Sequence, residues 1–426
     1  MVGKGGDREF ELEEFLDEWG REDGIQIFHS SREAALNRLK LFVPVSGLDY
    51  RRSRNFDYGP ENRRNASLLS PYIRNGLISE RELVCAVLAQ HSFSQAEKFL
   101  QEVFWRVYWK GYLENRPALW DHYTEDLENL EEETGLGDAL ILAESGKTGI
   151  ECFDTWTREL LETGYLHNHA RMWFASIWIF TLKLPWQWGA RFFMRHLLDG
   201  DPASNTLSWR WVAGLHTKGK TYLARPDNIA RYAGGRFKAV RDLARSANAL
   251  REDRGPVEPV YERLPDLPSR LPPNSGLILL DEDLRCSNLP CCDGVPVLGM
   301  YPEKHYERAE CSSSVRNFRK ECLMDALLRL RASATNGVRF EGEASASRII
   351  EWADGKGLER VYLSQPKVGP WGDLWRQIGP ALGERGMDIH FFRFWWENEL
   401  YPLATGSFFR LKSKLKDVTA RMLEEA

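Results

Sequence analysis

The segment from Tyr165 to Trp211 concentrates side chains that can do chemistry. Asn168 and Arg171 stand three apart, Asp199 and Asp201 two apart, and Asn205 follows four residues later. Trp173, Trp178, Trp186, Trp188, Trp209 and Trp211 share the segment. A guanidinium and carboxylates in so apolar a run must compensate one another if they are buried. Any single indole there is core filler by default. Asn65-Ala-Ser-Leu-Leu-Ser-Pro-Tyr places Ser67 and Ser70 at a helix start, which plain capping explains. One other string could meet phosphate. Gly214-Leu-His-Thr-Lys-Gly-Lys-Thr221 satisfies the P-loop pattern, and Leu277-Ile-Leu-Leu-Asp-Glu would be its Walker B strand. A P-loop nucleotidase needs a strand directly before that loop and a helix directly after it. Here the loop follows the Trp-rich segment and soon meets Pro226, so this rival is set aside. Gly146-Lys-Thr148 lacks the leading glycine.

The elements that would position these residues divide the chain. Residues 1–250 read as one helical domain. Ser31 opens a helix over Arg32–Leu41 with apolar spacings of three and four; Thr155–Leu161 and Leu166–Leu184 continue that period, and Pro185 stops the latter. Residues 251–275 hold Pro256, Pro259, Pro265, Pro268, Pro272 and Pro273, the composition of a stiff extended linker. Residues 276–426 change period. Leu277–Leu280, Val295–Leu298, Val338–Phe340, Arg360–Leu363 and Ile389–Phe392 read as short buried strands. Helical patterns lie between several of them, at Phe318–Leu330, Ser345–Ala353 and Asp373–Leu382. That alternation predicts an α/β domain with a parallel sheet. A last helical pattern covers Leu411–Leu423.

The chain of 426 residues is long enough for two domains. A net charge of −5 exerts no global pull on nucleic acid, but leaves room for a local basic patch. The acidic stretch Glu9–Asp23 places such a patch elsewhere. Polar residues follow Met1, so no secretory leader is expected, and Met172–Leu184 is too short to span a bilayer. Seven cysteines without a CxxC pair point to a reducing, cytoplasmic setting. Five of them fall between Cys286 and Cys322, which keeps an iron–sulfur cluster as a minor alternative.

Together these strings resemble the cryptochrome/photolyase family, most closely the cyclobutane-pyrimidine-dimer photolyases. The resemblance is specific from about residue 33 to 225. It implies an all-helical FAD-binding domain followed by a Rossmann-like α/β domain. Glu33-Ala-Ala through Tyr50 and Arg54-Asn-Phe resemble the entry to the FAD domain. Leu277 through Pro290 resembles the opening of the antenna domain, which in the family comes first, and Phe408-Phe-Arg-Leu-Lys its close. The chain therefore looks circularly permuted. The family pattern assigns Ser67, Leu69 (main chain), Ser70, Arg106 and Tyr50 to the phosphate and adenine end of FAD. It sets Asn168, Arg171, Asp199, Asp201 and Asn205 around the flavin ring, with Arg171 paired to Asp199, Asp201 accepting from the ring edge and Asn205 facing N5. Ala66 replaces the family's usual Thr. Trp209 and Trp186 match the proximal and middle members of the Trp relay. No Trp lies between Trp120 and Trp156, so the distal member has no counterpart; either Trp173 or Trp178 stands in or the relay ends early.

The resemblance also implies a substrate. Photolyases flip their damaged base out of the stack. Glu102, Trp105, Asn168, Met172 and Trp211 match the positions that contact a cyclobutane dimer. Enzymes for (6-4) photoproducts carry His at the positions of Asn168 and Met172, and His167 and His169 lie out of that register. Val107 and Tyr165 depart from the family's Glu and Trp. The expected partner is damaged DNA, single- or double-stranded, with no membrane, no protein partner and a monomeric state. The resemblance leaves a second, antenna chromophore unassigned. The alternative is a blue-light photoreceptor that does no repair.

Overall fold

The computed structural model describes residues 28–132, 137–237, 240–285, 294–331 and 337–425. The acidic stretch Glu9–Asp23, Cys286, Cys291, Cys292 and the Leu289-Pro290 pair lie outside the described residues.

Local chemistry sets the helix starts. In α1 (Arg32–Phe42) the Ser31 side chain accepts from Ala34 N, and Glu33 sits in the first turn. After α2 (Leu48–Ser53) and α3 (Ser70–Asn75), two reciprocal capping boxes follow. Ser79 with Glu82 opens α4 (Glu80–Gln90), and Ser92 with Gln95 opens α5 (Phe93–Glu114). Next come α6 (Ala118–Glu132), α7 (Gly137–Glu144) and α8 (Glu151–Thr163), which Gly164 ends in the left-handed region at φ 64°. The Leu166–Leu184 pattern becomes α9 (Asn168–Ser176) plus a π-helical turn at Ile177–Thr181, closed before Pro185. Helices α10 (Trp186–His196), α11 (Pro202–Val212) and α12 (Pro226–Tyr232) complete the domain. Helix therefore stops at Tyr232 rather than near 250. Gly234 and Gly235 both take positive φ, and no described residue from 240 to 274 is in a helix or strand.

The linker lies extended over both domains. Val260 N donates to Asn115 O at 2.8 Å on one side, and Asn398 donates to Leu264 O at 2.9 Å on the other. Beyond it, β1 (Ser275–Leu280), β2 (Val297–Met300), β3 (Val338–Glu341), β4 (Arg360–Ser364) and β5 (Asp388–Phe392) form one parallel sheet in the order β3-β2-β1-β4-β5. Its register places Leu277 beside Val297 and Tyr362. Every residue of β1 is buried, as a central parallel strand covered on both faces requires. Between strands run α13 (Glu303–Arg308), α14 (Ser313–Arg331), α15 (Ala346–Lys356) and α16 (Pro370–Glu384); α17 (Trp395–Leu400), α18 (Phe408–Lys412) and α19 (Leu415–Glu424) follow. Trp352, Trp371 and Trp375 pack one face of the sheet. Phe318, Leu323 and Leu327 cover the other, in a core continuous with that of the helical domain.

The P-loop pattern is not a P-loop. Helix α11 precedes it, Gly214 takes φ 80°, and the chain turns through residues 213–219 without entering a helix until Pro226. Cys85, Cys152, Cys311 and Cys322 are free, and the described residues hold no cluster of metal-ligating side chains. No described helix is long and apolar enough to cross a membrane.

Candidate functional site

A cavity of about 580 Å³ opens into the helical domain, within the size range of small-molecule sites. Helices α5, α9 and α11 and the residues around α2 and α3 supply its walls. Tyr50, Ser67, Ser70, Glu102, Trp105, Arg106, Asn168, Arg171, Met172, Asp199, Asp201, Asn205, Trp209 and Trp211 all line it. Leu69 is fully buried and contributes main chain at the start of α3 rather than a lining side chain. Trp186 lies in the core behind the wall, packed on Tyr123.

At one side, Arg38 donates to Ala66 O and Ser67 O at 2.8 and 2.7 Å, and fastens the loop that presents Ser67. Leu68 in that loop takes φ 53°, a left-handed conformation uncommon outside glycine. Arg106 Nη2 pairs with Asp201 Oδ2 at 3.2 Å, while its Nε is buried without a partner. Asp201 also caps α11, its Oδ1 accepting from Ser204 N at 2.8 Å. Burial alone would raise its pKa. Arg106, Lys110, Arg74 and the Ser204 N–H outweigh that and hold the carboxyl well below its usual range. Both oxygens of Asp201 are thus engaged by protein.

Across the cavity, Arg171 donates to Leu166 O at 2.9 Å and to Asp199 Oδ2 at 2.8 Å. Burial works against the guanidinium charge, but Asp199 overcomes it and the net shift is upward. Asp199 Oδ1 is buried and has no partner among the described residues. It is an orphaned buried acceptor beside the cavity, as Ser204 Oγ and the Trp209 indole N–H are an orphaned hydroxyl and donor. Asn205 gives its amide nitrogen to Ala190 O at 2.8 Å. His167 caps α9 by accepting from His169 N, and burial lowers its pKa to about 4, so it is neutral.

The geometry brings in residues outside the sequence-based set. Arg54 pairs with Glu102 at 2.5 Å; it lies four residues after lining residue Tyr50, a spacing that could have flagged it. Phe408 stacks on Trp105 with centroids 3.9 Å apart, a contact spanning the two domains that no local pattern encodes. His169 bonds Asn55 O at 2.9 Å and the Tyr222 hydroxyl at 3.2 Å, and Tyr222 stacks on Trp211. Ser204 lines the cavity one turn above Asp201.

An elongated ligand with a phosphate end and a polar ring suits this lining. The serines and the open Arg106 Nε would meet phosphate, and Asp199 Oδ1 a ring N–H. The family comparison agrees. Residues 99–233 match the FAD-binding domain of DNA photolyase. The chain is 33% identical over 207 residues to the deoxyribodipyrimidine photo-lyase of Alkalihalophilus pseudofirmus, covering 45% of this chain and 39% of that one. It is 35% identical over 182 residues to that of Streptomyces griseus, covering 42% and 38%. A Synechocystis cryptochrome structure aligns with a TM-score of 0.41 at 26% identity, covering 49% of this chain and 44% of that one. The chain spans about two fifths of the length of the curated relatives it matches. The match to the FAD-binding domain of DNA photolyase, over residues 99–233, takes in most of the residues that line this cavity.

Proposed function

We propose that this chain is a light-driven DNA-repair flavoprotein that splits cyclobutane pyrimidine dimers, acting as a cytoplasmic monomer. One observation carries the reading. Glu102, Trp105, Asn168, Met172 and Trp211 line the same cavity as Ser67, Arg106, Arg171 and Asp199. A substrate pocket and a cofactor pocket therefore share one space. When bound, reduced FAD supplies a light-excited one-electron donor. Trp105, Met172 and Trp211 give a flipped dimer an apolar, aromatic wall. Burial raises the Glu102 carboxyl pKa, against Arg54 and Lys98. A Glu102 carboxyl that exchanges Arg54 for a proton on meeting the dimer would donate to a base carbonyl and stabilise the dimer's extra negative charge. Arg51 and Arg52 are exposed on α2 beside Tyr50, and Lys218 and Lys220 in the loop between Trp211 and Tyr222. These cations suit DNA phosphates despite the negative net charge.

The domain order supports a permuted chain. Arg32 of α1 donates to Leu77 O at 2.5 Å and pairs with Glu82 of α4, while Arg81 of α4 donates to Met422 O of α19 at 3.4 Å. The first and the last of the described helices thus meet on α4. A family connector would join them there.

The test illuminates dimer-bearing DNA with reduced protein and follows dimer loss against a dark control. Glu102→Ala should lower the yield while FAD stays bound. The Arg54–Glu102 pair favours the second reading, a photoreceptor, because it occupies the carboxyl that would greet the dimer. Absence of repair with fully reduced cofactor would put that reading first.

A further inference from the structure

Helix α9 carries two stripes of side chains. Asn168, Arg171, Met172 and Ala175 face the cavity, at helical spacings of three and four. Beside them His169, Trp173 and Ser176 hold the chain that returns from α11. Ser176 Oγ accepts from Ala224 N at 2.8 Å, and the Trp173 indole N–H donates to Asn228 Oδ1 at 3.0 Å. His169 Nε2 lies 3.2 Å from the Tyr222 hydroxyl. These bonds fasten residues 222–228 as a strap along α9. At the near end of the strap, Tyr222 N donates to Val212 O at 3.2 Å. The Tyr222 ring stacks on Trp211 there, with centroids 5.8 Å apart at 30°. Trp211 is half-buried in the cavity wall.

The partners of His169 fix the direction of its bonds. The Asn55 carbonyl, 2.9 Å from Nδ1, can only accept, so Nδ1 carries the proton. Burial lowers the ring's pKa, with the Arg54 charge on the same side and the Asn55 carbonyl and Asp57 opposed. The ring is therefore neutral at neutral pH and Nε2 is a bare acceptor, to which the Tyr222 hydroxyl donates. Packing holds the imidazole in place. Trp173 stacks on it with centroids 4.3 Å apart at 18°, and the Tyr232 ring lies 5.5 Å away. A half-buried indole loses side-chain freedom when a base stacks on it, and a neighbour fixed beforehand removes part of that cost.

We propose that His169 is a positioning residue of the substrate pocket: through Tyr222 it sets the Trp211 indole where a flipped pyrimidine dimer stacks. This deepens the repair reading above and rests on it. His169 itself borders the cavity, but both ring nitrogens are engaged, one by Asn55 and one by Tyr222. It therefore acts on a base through the Tyr222–Trp211 pair and not by a hydrogen bond of its own. Undamaged DNA sends no base into the pocket and is held by its phosphates. The support given by His169 thus bears on preference for the lesion, not on DNA affinity in general.

The experiment titrates the FAD-loaded full chain in the dark, by fluorescence anisotropy, with an oligonucleotide carrying one cyclobutane thymine dimer and with its undamaged twin. In His169→Asn the amide reaches the place of Nδ1, which keeps the Asn55 bond and loses Tyr222. In His169→Gln it reaches the place of Nε2 and keeps Tyr222. Tyr222→Phe keeps the stack and loses the hydroxyl. His169→Asn and Tyr222→Phe should bind the dimer about two- to tenfold more weakly, the cost of ordering one side chain on binding. Undamaged DNA should bind as to wild type, and His169→Gln should recover the dimer affinity. In a Trp211→Ala background, Tyr222→Phe should have no further effect. Equal losses in His169→Asn and His169→Gln, wild-type dimer affinity in Tyr222→Phe, or a Tyr222→Phe loss that persists without the Trp211 indole would overturn the proposal. If His169→Asn fails to load FAD, Tyr222→Phe in the two backgrounds decides. Wild type that repairs the dimer under light while the variants bind it normally removes this proposal alone. Wild type that binds both oligonucleotides equally and repairs no dimer removes the repair reading and the proposal with it.

Discussion

Replacing Asp199 by Ala tests the cavity at its most charged point. Two effects add. Arg171 keeps only Leu166 O as a partner, and the wall loses the open acceptor Oδ1. Removing one partner of a buried ion pair costs about 3–5 kcal/mol. The Asp199 side chain is 5% exposed but that of Arg171 is 23% exposed, so water relieves part of the stranded charge and the stability loss should fall to about 2–3 kcal/mol. A hydrogen bond from ligand to a charged acceptor contributes about 1.5–3 kcal/mol. The FAD dissociation constant should then rise about 10–100-fold. Asp199→Asn keeps a neutral acceptor towards Arg171 and should fall between Ala and wild type. Flavin fluorescence titration gives the affinity, and urea unfolding of the cofactor-free protein gives the stability. An Asp199→Ala protein that unfolds at a lower urea concentration yet binds FAD like wild type would refute the reasoning, because Asp199 would then be scaffold only.

Glu282 is a buried carboxyl whose pKa rises to about 7, chiefly through burial, with Arg74 and the Lys367 N–H opposing. A raised carboxyl binds its proton more tightly in the folded state, so stability should fall as pH climbs from about 4.5 to about 7, by roughly 3 kcal/mol; Glu282→Gln should flatten that slope in urea unfolding. Gly189→Ala would place a Cβ 2.3 Å from Trp209 and 3.0 Å from Trp178. Overpacking of that kind costs about 1–3 kcal/mol and should lower the melting temperature and alter the near-ultraviolet dichroism of the displaced indoles. Phe408→Ala uncovers one face of Trp105, and should lower dimer affinity more than FAD content, measured by binding of dimer-bearing DNA. A rearranged chain that runs 271–425, a short linker, then 28–250 should fold and take up FAD as wild type does, because α1 and α19 already meet on α4; a colourless, aggregating product would count against the permuted reading.

What the sequence shows and what it hides follow one physical division. The strands are legible because a central parallel strand is buried on both faces and reads as an unbroken apolar run, as Leu277–Leu280 does. Ser31 marks a helix start in the sequence because its partner lies three residues away, and the structure shows Ser79 and Ser92 working at the same spacing. The helical boundary near 250 is illegible by the same logic, since apolar spacing persists after Tyr232 while Gly234 and Gly235 turn the chain. The π-helical turn at Ile177–Thr181 leaves no mark in a period tuned to 3.6.

The candidate site divides likewise. Arg171 and Asp199 can be named as a pair from the family pattern, and a buried cation in an apolar run demands an anion. Which Asp199 oxygen is left open cannot be, because that depends on how Leu166 and Arg171 turn. The same holds for Asp201. Its sequence position is equally that of a ligand acceptor and of a helix cap, and only the fold shows Ser204 N and Arg106 filling its two oxygens. The contacts hardest to foresee join the two domains: Trp105 with Phe408, and Trp120 with Asp373, 253 residues apart. Each sets a residue of the α/β domain against an indole of the helical domain. The α/β layer therefore bears on the chemistry through side chains it lends to the other domain, and exchanging it for another parallel α/β domain should cost those two contacts even where the helical domain keeps its fold.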